Sequence, residues 1–324
     1  MERGSEMIWP VVDDVGHRVQ WPEVPAHVRR RIAATLGADV VAAVGQRGGY
    51  GPGLAARCVL ADGRRVFVKA VSSDQNPDTP AMARAEAATG AALPADAPAP
   101  RLLHVVDDGR WVALVFEDVD GRHPAVPWRH DELRRVLAAT VALGALAPPP
   151  LVPTVAARYG EAFRGWRTLA GEEGVAVPDP WCARHLGRLA ALEAGWEEVT
   201  VGPALVHGDV RSDNVLLAGD RVVFVDWTST CTGVGWFDLV AVLPSVELEG
   251  GGPPEQVLAL AGVPVEREAL LPVVAALAGY FTERGRLPDP PGLPTVRAFQ
   301  RAQGAVARAW LRRLLTSSPA GVLR

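Results

Sequence analysis

The sequence predicts an α+β protein of two lobes, a small β-rich lobe with one helix followed by a larger, mainly helical lobe. Three observations predict it. Up to residue 116 the apolar residues fall mostly into short runs separated by turn residues, the pattern of strands and hairpins. Beyond Gly121 they recur largely at helical spacing. A short polar link, Glu117-Asp118-Val119-Asp120-Gly121, separates the two regimes. The bounds read from this are an N-terminal lobe over residues 1–116, a hinge over 117–121 and a C-terminal lobe over 122–324. A chain of 324 residues is long enough to give such lobes a sizeable core.

The elements follow in order. Residues 40–44 form an apolar run that leads into Gly45-Gln46-Arg47-Gly48-Gly49-Tyr50-Gly51-Pro52-Gly53. A second run ends at Cys58-Val59-Leu60, and Ala61-Asp62-Gly63-Arg64 carries a turn signal. Val66-Phe67-Val68-Lys69-Ala70 then reads as a strand of β-branched and aromatic residues. Thr79-Pro80 starts a helix, with Thr79 as its cap and Pro80 at its first position. This helix spans residues 80–92, carries Glu86 and ends at the proline-rich stretch 94–100. Residues 101–106 and 111–116 make a hairpin across Asp107-Asp108-Gly109. Helical periodicity covers 131–146, 155–169 and 181–195. Short strands occupy 205–225, and helices resume from Phe237, around 257–260, over 266–281 and over 296–315.

Composition narrows the function. With 48% hydrophobic and 22% charged residues the chain is globular. A net charge of -4 and a pI near 6.0 argue against a dedicated nucleic-acid binder. Cys58, Cys182 and Cys231 lie far apart, which disfavours a zinc site or a disulfide scaffold. The N-terminus has no apolar signal core, and the longest uncharged stretch, 136–157, is broken by Pro148-Pro149-Pro150. A soluble cytoplasmic protein with no membrane partner is expected.

Lysine usage is sharper. Lys plus Arg totals 33, yet Lys69 is the one lysine, and Asn76 and Asn214 are the only asparagines. Abundant Ala, Gly, Pro and Arg suggest a GC-rich coding bias that replaces Lys and Asn wherever chemistry allows. The survivors therefore point to a requirement.

The richest segment is Leu205-Val206-His207-Gly208-Asp209-Val210-Arg211-Ser212-Asp213-Asn214-Val215-Leu216-Leu217, followed by Val222-Val223-Phe224-Val225-Asp226-Trp227. With Ala218-Gly219-Asp220-Arg221 as its turn, a hairpin brings Asn214 and Asp226 to one end, beside Asp209. This suits phosphoryl transfer. Mg²⁺ takes hard oxygen ligands and needs few carboxylates when phosphates complete its shell, which fits Asn214 and Asp226. Asp209 can orient a hydroxyl and take its proton. Lys69 can hold phosphates and pair with Glu86, and glycines in the preceding turn let backbone N–H groups approach phosphate. Taken alone, each motif has a bland alternative: a capped turn, a surface lysine or a solvated helix glutamate. His207 reads as a structural histidine. The arginines of residues 297–313 read as a solvated helix face.

Together these motifs resemble the aminoglycoside phosphotransferase family, within the protein-kinase-like fold. The resemblance rests on Val66-Phe67-Val68-Lys69, Glu86, the hinge Phe116-Glu117-Asp118-Val119-Asp120-Gly121, His207-Gly208-Asp209 through Asn214, Val225-Asp226-Trp227 and Gly235-Trp236-Phe237-Asp238-Leu239. It spans roughly residues 40–315. It implies an ATP-dependent transfer, with GTP left open, of the γ-phosphate to a hydroxyl of a small molecule. It further implies Asp209 as base, Mg²⁺ on Asn214 and Asp226, Lys69 on the α/β-phosphates paired with Glu86, and adenine against backbone groups of Glu117 and Val119. Asp238 would brace the catalytic loop. Gly48 and Gly49 would cover the phosphates. Arg211, standing where protein kinases carry a lysine, would meet the γ-phosphate. Asp226-Trp227-Thr228 replaces Asp-Phe-Gly, His207-Gly208-Asp209 replaces His-Arg-Asp, and no Ala-Pro-Glu follows, which favours a small-molecule kinase over a protein kinase. The alternative is a non-catalytic nucleotide-binding pseudokinase, and the intact Lys69, Asp209, Asn214 and Asp226 set argues against it. Acceptors across the family include antibiotics, amino alcohols, sugars and nucleosides, so the resemblance does not choose among them.

Overall fold

The computed structural model describes residues 18–46, 53–172, 174, 177–290 and 295–316. Five antiparallel strands build the sheet of the small lobe: β1 (Val40–Gly45), β2 (Leu54–Leu60), β3 (Arg65–Ser72), β4 (Leu102–Asp107) and β5 (Trp111–Glu117), in the order β1-β2-β3-β5-β4. Side chains alternate across a strand, so the central β3 splits its residues between two faces. Val66, Val68 and Ala70 enter a core closed by helix α1 (Ala26–Leu36), which contributes Val28, Ile32 and Leu36. Phe67, Lys69 and Val71 point the other way, towards helix α2 (Thr79–Ala92). There Ala83 and Ala87 pack with Val112, Leu114 and Phe116 of β5.

The two-lobe α+β class stands, but the small lobe holds α1 in addition to the expected helix. Its apolar residues are four apart, and Gly37 in the left-handed region (φ 70°) ends it. The polar residues crowding between them, Arg29, Arg30 and Arg31, obscure that stripe in the sequence. Helix α2 begins at Thr79, with Asp78 rather than Thr79 at the cap position.

The large lobe runs through α3 (His130–Leu143), α4 (Val155–Tyr159), α5 (Gly165–Gly171), α6 (Pro180–Arg184), α7 (Leu186–Glu193) and α8 (Trp196–Val199). Four short strands follow, β6 (Ala204–Val206), β7 (Val215–Ala218), β8 (Arg221–Phe224) and β9 (Cys231–Gly233). The chain closes with α9 (Phe237–Leu248), α10 (Pro254–Ala261), α11 (Arg267–Gly285) and α12 (Val296–Thr316). Fully buried Trp166, Trp196, Phe224, Phe237 and Trp310 anchor one continuous core here. Among the described residues no helix is long and apolar enough to cross a membrane.

Three expectations need correction. The stretch 155–169 is two helices, because Phe163 leaves helical backbone (φ -88°, ψ 41°) and the chain restarts at Gly165. The buried Glu193 carboxylate accepts the N–H groups of Trp166 (2.9 Å) and Arg167 (3.0 Å), capping the new helix from a distant part of the chain. The stretch 181–195 likewise breaks at His185 (φ -113°, ψ 13°). The arginines of α12 are not merely solvated. Arg312 pairs with Asp179 (3.0 Å), and Arg313 pairs with Glu255 (2.8 Å) and Glu247 (3.2 Å), fastening α12 to other elements.

The crossing of α5 and α11 depends on having no side chain at its centre. A methyl group on Gly165 would stand 2.1 Å from the Gly279 carbonyl oxygen, a backbone atom that cannot swing aside. Gly165→Ala is therefore expected to cost about 3 kcal/mol of stability through overpacking. A lowered urea midpoint at unchanged slope would register it, and an unchanged midpoint would show that the helices part freely.

Candidate active site

The hairpin of β7 and β8 positions the polar cluster. Val215 pairs with Phe224, and beyond them the Val225 N–H donates to the Asn214 carbonyl (2.9 Å). Asn214 and Asp226 therefore emerge together at the open end of the hairpin. The chain leaving the hinge lies alongside, with Arg122 and Leu217 exchanging backbone hydrogen bonds of 3.1 and 2.7 Å.

The loop from β6 to β7 is held from beneath. Buried Asp238, in the first turn of α9, accepts the N–H groups of His207 (2.7 Å) and Gly208 (2.8 Å). Burial pushes its carboxyl up to about 6, against the pull of those two hydrogen bonds. The Asp209 N–H donates to His207 Nδ1 (3.2 Å), so that nitrogen carries no proton and Nε2–H donates to the Val225 carbonyl (3.0 Å). Burial takes the imidazole down to about 4, which matches this neutral, structural histidine. Gly208 has φ 84°, and a Cβ there would lie 2.4 Å from Tyr159 Oη and 2.5 Å from the Ser229 carbonyl. No arginine fits in that place, which accounts for the His-Gly-Asp spelling.

Asp209 follows on this fixed backbone. Asn214 Nδ2 donates to its carbonyl (2.8 Å) and to its Oδ2 (3.0 Å). Burial under the cleft pushes the Asp209 carboxyl up to about 6; Arg211 opposes this, while Asp226 and Asp213 reinforce it. Arg211 approaches Asp209 at 3.4 Å but forks onto Asp213 (2.9 and 3.0 Å) and lies 5.6 Å over the Phe299 ring. Its guanidinium is thus engaged with the carboxylates of Asp209 and Asp213.

Across the cleft Lys69 reaches Glu86 at 2.6 Å and Asp226 at 3.4 Å. Burial works against its charge, but the two carboxylates outweigh burial and hold the ammonium protonated. Burial likewise raises the Asp226 carboxyl, yet Lys69, His207 and Thr228 together bring it below its ordinary value. Asp226 sits in the left-handed region (φ 67°), an unusual backbone for a residue other than glycine.

The residues present fit a magnesium site that relies on phosphate. Both hydrogen bonds of the Asn214 amide nitrogen go to Asp209, which leaves its Oδ1 as a neutral oxygen ligand at the end of the hairpin where Asp226 also emerges. Among the described residues no group of three or more His, Cys, Asp or Glu side chains gathers to hold a metal unaided. One carboxylate and one amide suit Mg²⁺ when phosphate oxygens and waters supply the rest.

The cleft above is walled by Leu54, Phe67 and Phe116 from the small lobe and by Leu216 and Val225 from the large one, which makes it apolar. At the hinge, the Val119 carbonyl accepts from Arg57 (2.6 Å) and from the Gly121 N–H (2.9 Å). No hydrogen bond among the described residues uses the Val119 N–H. The Glu117 N–H is committed to the Arg101 carbonyl (3.0 Å), and its carboxylate pairs with Arg101 (2.9 Å). Gly48 and Gly49 lie outside the described residues.

Several participants escaped the sequence reading. Asp118, almost wholly buried in the hinge, pairs with Arg57 (3.2 Å) and Arg65 (2.5 Å) and so ties β2 and β3 to it. Glu249 accepts from Ser212 (2.6 Å) and Trp128 (2.9 Å), bracing the loop after Arg211. Tyr159 donates to the Gly208 carbonyl (2.8 Å). Arg18 lines the cleft. None stands in a recognisable spacing with its partner, so the sequence held no signal for them. Trp227, next to Asp226, is buried with its indole N–H on the Phe224 carbonyl (2.9 Å) and packs against His207.

A family model described as a phosphotransferase enzyme family (APH) matches residues 55–277. No curated protein matches the chain by sequence. Among solved structures, aminoglycoside phosphotransferase APH(4)-Ia in a ternary complex with AMP-PNP and hygromycin B is 13% identical, covers 92% of this chain and 100% of its own, and superposes with a TM-score of 0.57. A choline/ethanolamine kinase family protein from Mesorhizobium loti is 18% identical over 90% of this chain and 94% of its own, with a TM-score of 0.56. Choline kinase LicA from Streptococcus pneumoniae is 14% identical over 90% and 98%, with a TM-score of 0.54. At these identities the likeness is one of fold.

The brace under the loop can be tested by itself. Asp238→Ala leaves two buried N–H groups without their acceptor and is expected to cost roughly 2–5 kcal/mol. Urea unfolding measures this, and a loss below the noise would mean that water replaces the carboxylate.

Proposed function

We propose that this chain, which belongs to the phosphotransferase enzyme family, transfers the γ-phosphate of ATP to a hydroxyl group of a small molecule. The observation that carries this reading is the meeting of Asp209, Asn214 and Asp226 at one end of a hairpin, with the Lys69–Glu86 pair facing them.

In this reading the apolar cleft takes the adenine, with the Val119 N–H as a donor at its edge. Lys69, positioned by Glu86, meets the phosphates as a point charge. The Asp226 carboxylate and the Asn214 side-chain oxygen would hold Mg²⁺, whose charge would offset that of the phosphates. Asp209 accepts the proton of the acceptor hydroxyl as its oxygen bonds to the γ-phosphorus and the bond to the β-phosphate oxygen breaks, releasing ADP. Arg211 keeps a positive charge beside this carboxylate and moderates the rise that burial gives it. Its guanidinium stands 3.4 Å from the Asp209 carboxylate, within reach of a group transferred there. The acceptor is a hydroxylated small molecule. The solved neighbours include one bound to hygromycin B and one that is a choline kinase, so aminoglycosides and amino alcohols head the panel to test.

Two results are expected. With Mg-ATP and an acceptor from a panel of aminoglycosides, peptide antibiotics, amino alcohols, sugars and nucleosides, coupled ADP release should fall about 10²–10⁴-fold in Asp209→Ala while nucleotide affinity is kept. Near-normal turnover in a clean preparation would remove Asp209 from this role. The same assay should show kcat/KM rising with pH through about 6 and then level, since the base works only when deprotonated and its carboxyl is pushed up to about 6. A profile flat from pH 5 to 8 would contradict that assignment.

A further inference from the structure

The chain ahead of α1 brings an arginine into the cleft. Arg18 lines the same cavity as Lys69, Gln46 and Asp226. Its Nη1 donates to the Gln46 carbonyl (3.0 Å), and the Gln20 side-chain amide donates to the Arg18 carbonyl (3.0 Å). Gln46 directly follows β1 and is the residue from which the chain enters the glycine-rich stretch.

The placement is costly and directional. Much of the guanidinium is out of water, and that burial pulls its pKa down while the Asp226 carboxylate acts to restore it. Gln46 in turn donates its N–H to the Ala55 carbonyl (2.8 Å), and Ala55 pairs with Lys69 across β2 and β3, so Arg18 is held on the Lys69 side of the cavity. Lys69, another cation of this cavity, is tied to Glu86 at 2.6 Å. A triphosphate brings several negative charges to this point. A guanidinium offers a flat fork of donors that matches phosphate oxygens in a way an ammonium does not.

We propose that Arg18 is a phosphate-binding residue, its guanidinium contacting the β-phosphate of the bound nucleotide beside Lys69 while it also holds the Gln46 carbonyl. This rests on the nucleotide reading above. It adds a contact from outside residues 55–277, the span that the family model matches.

The test compares ADP and adenosine, in the presence of Mg²⁺, by calorimetry on the full chain and on Arg18→Gln and Arg18→Lys. Arg18→Gln is expected to weaken ADP about tenfold and leave adenosine within about twofold, as loss of one charge-assisted contact would. Arg18→Lys should recover part of the ADP affinity. Equal weakening of ADP and adenosine would overturn the proposal and make Arg18 a strut for Gln46. Unchanged ADP binding in Arg18→Gln would overturn it as well. A wild-type chain that binds neither ligand would instead overturn the nucleotide reading itself, and this proposal with it.

Discussion

The cleft is organised around one ammonium group. Lys69 leaves the small lobe's sheet on the face turned away from α1 and is met by Glu86 from α2 and by Asp226 from the large lobe. Each partner is expensive to bury alone. Two carboxylates facing each other without the lysine would repel, and without them burial would disfavour the charged lysine. Their mutual satisfaction sets how far α2 stands from the sheet and how the lobes meet. The small residues of α2 make this possible, since Ala83 and Ala87 let the helix lie close enough for Glu86 to reach across.

The large lobe solves a different problem. It must present Asp209, Asn214 and Asp226 on short, irregular backbone whose N–H groups would otherwise be stranded. Asp238 takes two of them, the neutral His207 ring accepts a third, and Asn214 bonds back to Asp209. The outcome is a polar cluster whose geometry does not wait for a ligand. Preorganisation of this kind is the chief resource of phosphoryl-transfer catalysts, where positioning and charge stabilisation matter more than covalent chemistry.

The sequence made the local parts of this arrangement legible and left the distant ones hidden. Strand alternation around Lys69, the helix carrying Glu86 and the turn joining β7 to β8 all follow from neighbours along the chain. The structure brings Lys69 to Glu86 and Asn214 to Asp226 as those patterns suggest. The break before α5 does not follow from neighbours, because it depends on Glu193 and Gly279, far away in sequence. Arg211 illustrates the same limit. Its position in the motif did not show that its guanidinium forks onto Asp213 and lies over Phe299. The ion pairs of Asp118 and the cleft position of Arg18 gave no signal, since they depend on residues of other strands and another lobe.

The solitary lysine has a practical consequence. In most proteins an amine-selective reagent scatters over many side chains, but here the only side-chain amine sits wedged between two carboxylates in the cleft. Isotope-labelled reductive methylation would thus place a single side-chain reporter at the heart of the molecule. Its rate of labelling would read out how often the Glu86–Lys69–Asp226 bridge opens, and its resonance would follow the charge balance between the lobes without any engineered tag.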